Sequence, residues 1–315
     1  GGTNSLYGGS GADTVYSGTG DDILDGGLGN DTASYEDITT GGVTVYLGKD
    51  NTAQDTINAG NDTLNDIENL IGTVFNDTLG ASLTGVNTLN GLGGNDTADY
   101  SVLTKATTDE GVVANLLNGT ASKGLSIDDT LLSIENLIGT NGKDTLIGNN
   151  SNNTLDGGTG NDLFIAHEGN NSIIGGDGVD TIDYSQSLKA IVAENIDTTG
   201  TILRGTGAAQ NSDELSSVEK IIGSSYKDVI KADASSIVEF EFHGGSGNDT
   251  LQGGLGNDNL YGDSGDDYFY ASGGSDYVDG GSDGEITGDT IDFSQINAKI
   301  ELTLGESGNE SKVLE

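Results

Sequence analysis

The sequence predicts an all-β chain built from short stacked strands. Three observations carry that prediction. Of 315 residues, 53 are Gly and none is Pro, Cys, Met or Trp, a bias that points to tandem repeats. A nine-residue template, G-G-x-G-x-(D/N)-x-U-x with U apolar, fits four separate blocks. Between the blocks lie alternating segments such as "VTVYL" (43–47) and "GVVANLL" (111–117), whose period of two is that of a strand with one buried face.

The blocks follow one another in order. Block 1 (1–34) holds "GGSGADTVY", "SGTGDDILD" and "GGLGNDTAS", with Asp13, Asp22 and Asp31 at the acid position. Block 2 (72–99) is looser, carries one extra residue and centres on Asp77, Asn87 and Asp96. Block 3 (139–183) is five uninterrupted copies with Asp144, Asn153, Asp162, Asn171 and Asp180. Block 4 (223–292) opens on the degenerate "GSSYKDVIK", continues through Asp249, Asp258, Asp267 and Asp276, and ends in an irregular copy at Asp289.

Charge narrows the function. With 51 Asp plus Glu against 11 Lys plus Arg, the formal charge is −40, which excludes nucleic acid as a partner, because that affinity rests on clustered cations. Anionic membranes are disfavoured likewise, and no apolar run is long enough for direct membrane insertion. So many carboxylates suit a hard cation, since Ca²⁺ takes about six to eight oxygen ligands. Without Cys there are no disulfides or zinc–thiolate sites.

The tandem copies resemble the hemolysin-type calcium-binding nonapeptides of RTX proteins. The resemblance implies a parallel β-roll, a calcium-bound β-solenoid, in which the first six residues of a copy turn around Ca²⁺ and the last three form a strand. It further implies multiple calcium ions, with the Asp residues named above as their ligands. Elementary geometry supports the same picture. Gly at three of the first four positions supplies the positive φ of a tight turn. Two copies make one coil, so residues eighteen apart become neighbours at about 4.8 Å, which sets Asp13 beside Asp31 and Asp249 beside Asp267. Two carboxylates that close repel by roughly 1 kcal/mol even in bulk water, and a bound cation converts the repulsion into ligation.

The same spacing sorts block 3 into an acidic edge (Asp144, Asp162, Asp180) and an amide edge (Asn153, Asn171). A neutral amide is a weaker calcium ligand than a carboxylate, and stacked amides can hydrogen-bond one another. Calcium is therefore expected mainly on the acidic edge. The alternative is that both edges bind it through main-chain carbonyls.

Each block ends on a shared signature, "DTASY" (31–35), "DTADYS" (96–101), "DTIDYS" (180–185) and "DTIDFS" (289–294). After Tyr35, Tyr100 and Tyr184 come strand-bearing inserts, 35–71, 100–138 and 184–222, and after Phe293 the start of a truncated fourth, 293–315. Each complete insert closes on D-x-L-x-x-(I/V)-E-x-(L/I)-I-G, as "DTLNDIENLIG" (62–72), "DTLLSIENLIG" (129–139) and "DELSSVEKIIG" (213–223). The inserts read as wider, calcium-free coils of the same roll, or as small β-lobes on it. The aromatic residues are expected to pack over the open end of a block, with ligand stacking as the alternative.

Nothing in the sequence favours an enzyme. His167 sits inside a nonapeptide and His243 ends the predicted strand "VEFEFH" (238–243). No G-x-S-x-G elbow or P-loop lysine is present, and narrow coils leave no deep apolar pocket to raise the pKa of a general acid. The opening Gly1-Gly2-Thr3 is neither a signal peptide nor a natural start, so the chain reads as a piece of a longer protein. The alternation of blocks and inserts resembles the modular arrays of large secreted RTX adhesins. That resemblance implies type I export, folding on extracellular calcium, a place at the bacterial cell surface and a cell-surface or matrix partner. Two alternatives are a calcium-locked surface-layer protein and the non-catalytic module of an extracellular protease, lipase or alginate epimerase.

Overall fold

The computed structural model describes residues 2–49, 51–103, 110–123, 128–206, 210–281, 288–294 and 312–314. Among them every regular element is a strand. Most strands have three to six residues and pair in parallel. The result is a parallel β-roll. The chain groups into two units, Gly1–Asp162 and Leu163–Glu315, so the division falls inside block 3.

In the first unit one sheet runs Thr14–Tyr16, Thr32–Ser34, Asn69–Ile71, Thr88–Asn90, Asp128–Leu132, Thr120–Ser122, Glu110–Asn115 and Lys143–Ile147. A second runs Thr44–Tyr46, Thr78–Gly80, Thr97–Asp99, Asn136–Ile138 and Thr154–Thr159. A small third sheet joins Ser5–Ser10, Ile23–Leu28, Asn61–Asn65 and Gln54–Asp55. A three-residue strand turns only its middle side chain inward, and in parallel register these stack into columns. One column is Val15, Ala33, Leu70, Leu89 and Leu131. Another is Val45, Leu79, Ala98, Leu137 and Leu155. All ten are buried, and each large one contributes about 1.5–3 kcal/mol.

The second unit repeats the plan. Phe164, Ile182, Ile221, Phe242 and Leu260 form one buried column, and Ala193, Ile230, Leu251 and Phe269 another. Glycine makes the turns between columns possible. In "GGTGND" (157–162), Gly158 and Gly160 have φ of 92° and 130°, and a Cβ on either would fall 2.5 Å from Thr140 O and 2.4 Å from Gly142 O respectively.

The inserts are coils of the roll that each carry an antiparallel strand; they are not lobes set upon it. In the second insert Thr120–Ser122 runs antiparallel between Glu110–Asn115 and Asp128–Leu132, and in the third Thr199–Arg204 does so between Ile191–Ile196 and Asn211–Ser216. In the first, Gln54–Asp55 pairs antiparallel with Asn61–Asn65. Among the described residues, blocks 1 to 3 therefore continue into their inserts and leave no open end for Tyr35, Tyr100 and Tyr184 to cover. Tyr35, Tyr100 and Tyr184 lie in the interior at 0%, 0% and 1% exposure. Each donates its N–H to the carbonyl of the Ile that ends its insert, Ile71, Ile138 and Ile222 respectively. The expectation of capping aromatics is corrected on this point, because the sheets continue from block into insert, and full burial excludes ligand stacking. Phe293 is partly buried. Most of 293–315 lies outside the described residues, though Lys312–Leu314 pairs in parallel with Thr290–Asp292.

Candidate metal centre

The sixth position of each copy is where the turn gives way to the strand, so its carboxylate points back into the turn while its N–H points along the stack. Successive acids are linked through that N–H. Asp13 N–H donates to Asp31 Oδ1 at 2.8 Å, Asp144 to Asp162 at 2.7 Å, Asp249 to Asp267 at 2.7 Å and Asp258 to Asp276 at 3.1 Å, each eighteen residues on. Where the pattern carries extra residues the link survives and only the spacing changes. Asp77 donates to Asp96 at 2.8 Å and Asp267 to Asp289 at 2.9 Å. One carboxylate oxygen of each acceptor is thereby used.

The other oxygen divides the acids into two groups. Oδ2 of Asp13, Asp22, Asp31, Asp96 and Asp249 is buried and accepts no hydrogen bond, a state that costs free energy unless a partner is supplied. Each of three such oxygens faces the first Gly of its own copy and a carbonyl from the following coil. A Cβ on Gly8 would fall 3.1 Å from Asp13 Oδ2 and 2.7 Å from Gly26 O; on Gly91, 2.2 Å from Asp96 Oδ2 and 2.4 Å from Ser133 O; on Gly244, 2.6 Å from Asp249 Oδ2 and 2.8 Å from Gly262 O. The absent side chain leaves a cradle lined by oxygen. Among the described residues no three His, Cys, Asp or Glu side chains converge, so the donor set is one carboxylate with main-chain carbonyls. That chemistry fits calcium.

Electrostatics favours a cation in the cradle. Burial, reinforced by Asp228, Asp267 and Asp263, pushes the Asp249 carboxyl up to about 8. Burial, reinforced by Asp77 and Glu135, pushes Asp96 up to about 7. A cation beside either carboxylate favours its charged form, which burial alone disfavours.

In the second group the chain supplies the donors itself. Thr73 gives its N–H to Asp77 Oδ2 at 2.6 Å and its hydroxyl to Oδ1 at 2.9 Å, while Val43 N–H reaches Oδ1 at 2.7 Å. Thr140 serves Asp144 in the same way, with N–H to Oδ2 at 2.7 Å and hydroxyl to Oδ1 at 3.0 Å. Asp228 receives Ser224. Asp258 Oδ2 accepts Gly254 N–H at 2.8 Å, and Asp276 Oδ2 accepts the Ser272 hydroxyl at 2.9 Å. Apart from this grouping by carboxylate oxygen, the Asp180 main chain donates its N–H to Glu219 Oε2 at 2.9 Å.

Glu219 belongs to a set the eighteen-residue rule did not find. Asp31 and Asp96 likewise donate to Glu68 Oε2 at 2.7 Å and Glu135 Oε2 at 2.8 Å. On the opposite edge, Asp22, Asn87 and Asn171 donate their N–H to Oδ1 of Asp62, Asp129 and Asp213 at 2.9, 2.8 and 3.1 Å. These six acids are the Asp and Glu of the closing pattern of each insert. The recurring D-x-L-x-x-(I/V)-E was their signal, six residues apart and constant in all three.

The amide edge has mixed partners. Asn153 Nδ2 donates to Glu135 O at 2.7 Å and to another amide, Asn149 Oδ1, at 3.2 Å, Asn87 Nδ2 donates to Glu68 O at 2.9 Å, and Asn171 Nδ2 meets the carboxylate of Asp213 at 2.8 Å. The coil that follows Asn171 belongs to an insert and presents Asp there. The histidines have structural surroundings. His243 lies 3.0 Å from Glu241 and 3.4 Å from Asp263 and stacks on Tyr261 at 4.5 Å. His167 is held below the usual range by burial and Arg204.

Residues 1–33, 133–164, 157–186 and 243–278 match the RTX calcium-binding nonapeptide repeat in four copies. These stretches cover nearly all of block 1, all of block 3 and the centre of block 4, and the loose block 2 stands outside them. No curated protein matches the chain.

Proposed function

We propose that the chain, four stretches of which match the RTX calcium-binding nonapeptide repeat, is a non-catalytic structural module of a large secreted bacterial protein, an adhesin displayed at the cell surface, that folds on extracellular calcium after export. The observation that carries the calcium dependence is the set of buried, unpartnered Oδ2 atoms on Asp13, Asp22, Asp31, Asp96 and Asp249. When bound, calcium supplies positive charge to these oxygens. The chain's own part is to hold each carboxylate by a neighbouring N–H and to keep the space beside glycine open. The −40 charge adds self-repulsion to the metal-free state. Extracellular modules bind calcium at about 10⁻⁴–10⁻³ M, which separates a cytosol from an external medium. Alternation of repeat blocks and inserts suits a modular surface protein.

Circular dichroism in chelator and then across a calcium titration tests the reading. A β-rich spectrum that develops only with calcium is expected, with magnesium a poor substitute because it demands tighter octahedral geometry. A full β-rich spectrum in chelator at neutral pH would sink it.

A further inference from the structure

Two of the turns hold a basic side chain where their relatives leave the oxygens open. The Lys123 ammonium follows the antiparallel strand of the second insert and reaches Ser82 O at 2.7 Å, Gly85 O at 3.3 Å and Asn87 Oδ1 at 3.0 Å. It also pairs with Asp129 Oδ1 at 2.8 Å, and both side chains are buried, at 3% and 0% exposure. Arg204 ends the antiparallel strand of the third insert. Its guanidinium donates to His167 O, to Gly169 O at 2.7 Å and to Asp213 Oδ1 at 2.9 Å, and its Nε lies 2.9 Å from Asp213 Oδ2, with exposures of 3% and 0%. Two main-chain carbonyls of a nonapeptide turn and the acid of the following coil thus converge on a cation in each case. The cation is covalently part of the chain.

The first insert supplies the comparison. Its closing acid, Asp62, is again linked to the turn behind it, through Asp22 N–H at 2.9 Å. Six residues before Asp129 stands Lys123, and six residues before Asp62 stands Thr56, whose hydroxyl meets Asp62 Oδ2 at 3.2 Å. The sixth position of the turn changes in step. It is Asn87 or Asn171 where the insert brings Lys or Arg, and Asp22 where it brings Thr. Lys123 with Asn87 and Asp129 sums to zero formal charge, as does Arg204 with Asn171 and Asp213. Asp22 with Asp62 sums to −2, and among the described residues no Lys or Arg forms an ion pair with either. Asp22 Oδ2 stays buried without a donor.

We propose that Lys123 and Arg204 occupy the calcium positions of the turns at Asn87 and Asn171, so that these two turns are closed without metal while the turn at Asp22 takes a divalent cation. The proposal rests on the calcium reading above. Asn and the base form one device: an amide in place of a second carboxylate leaves a single negative charge, which a monovalent side chain neutralises. Asp129 and Asp213 each have one charge partner, and a buried acid that loses its charge partner is left uncompensated at high cost, so the two turns stay closed at calcium concentrations that empty the others.

Native mass spectrometry across a calcium titration counts ions per chain for the wild type, Asn87→Asp/Lys123→Met and Asn171→Asp/Arg204→Met, and anomalous scattering locates the wild-type ions. The expected result is no ion in the turns 82–87 and 166–171 of the wild type, an ion at Asp22, and one additional ion per chain in each double variant. An anomalous peak in either turn of the wild type overturns the proposal, as does a folded double variant with the wild-type count. If the double variants fail to fold, Lys123→Arg and Arg204→Lys keep the charge and are expected to keep the wild-type count; an extra ion in either overturns the proposal. A wild-type chain that binds no calcium anywhere overturns the calcium reading and this proposal with it.

Discussion

Replacing Gly91 by Ala places a methyl group in the cradle beside Asp96. The new Cβ would stand 2.2 Å from Asp96 Oδ2 and 2.4 Å from Ser133 O, whereas even close C–H···O contacts sit at about 3.3 Å. Each oxygen must give way by about an ångström, away from the point where the two converge. Overfilling a packed site costs about 1–3 kcal/mol. At about 1.4 kcal/mol per tenfold, calcium affinity at this turn falls roughly 5- to 150-fold. Gly93 is the control, because a Cβ there meets nothing within 4 Å. Neither glycine has a positive φ, so backbone strain is absent from both variants. Hydrogen exchange in peptides spanning 88–98, followed against calcium, reads the local midpoint. Equal midpoints for Gly91→Ala and Gly93→Ala would show that the space beside Asp96 holds no ion.

Acid should partly replace calcium. Metal-free, the folded chain keeps protons on Asp96 to about 7 and on Asp249 to about 8, whereas unfolded carboxylates lose theirs near about 4. Between those limits the fold binds more protons than the unfolded chain, so metal-free stability falls as pH rises through the window and returns as pH falls. In chelator, β-structure measured by circular dichroism should grow from pH 8 to pH 5, and an unchanged or shrinking signal would contradict the assignment. Tyr184→Phe removes the hydroxyl that donates to Asp213 Oδ2 at 2.8 Å. A loss of about 1–3 kcal/mol in denaturant unfolding with an unaltered calcium count is expected, and a lowered count would make the tyrosine part of a metal site.

The blocks and their stacking were legible because a short template fixes both glycine turn and inward apolar residue, and two copies fix the coil. Asp13 over Asp31 and Asp249 over Asp267 follow from arithmetic alone. The inserts broke that arithmetic. Asp62 meets Asp22 across forty residues and Asp213 meets Asn171 across forty-two, separations set by an antiparallel strand whose length differs between inserts. Lys123 and Arg204 lie in regions of unlike sequence, six and nine residues before their acids, so no shared motif announced them. The role of Thr140 depends on a hydroxyl that any turn residue could carry to solvent. Its signal was positional: Thr73, Thr140 and Ser224 each follow the last Gly of a closing pattern and each bond the acid four residues on.

The N–H links between acids all point one way along the chain. Asp13 donates forward to Asp31, Asp77 to Asp96 and Asp249 to Asp267. The damage from losing one acid is therefore one-sided: without the Asp267 carboxylate the Asp249 N–H in the coil before it is orphaned, whereas the Asp267 N–H keeps its acceptor, Asp289, in the coil after it.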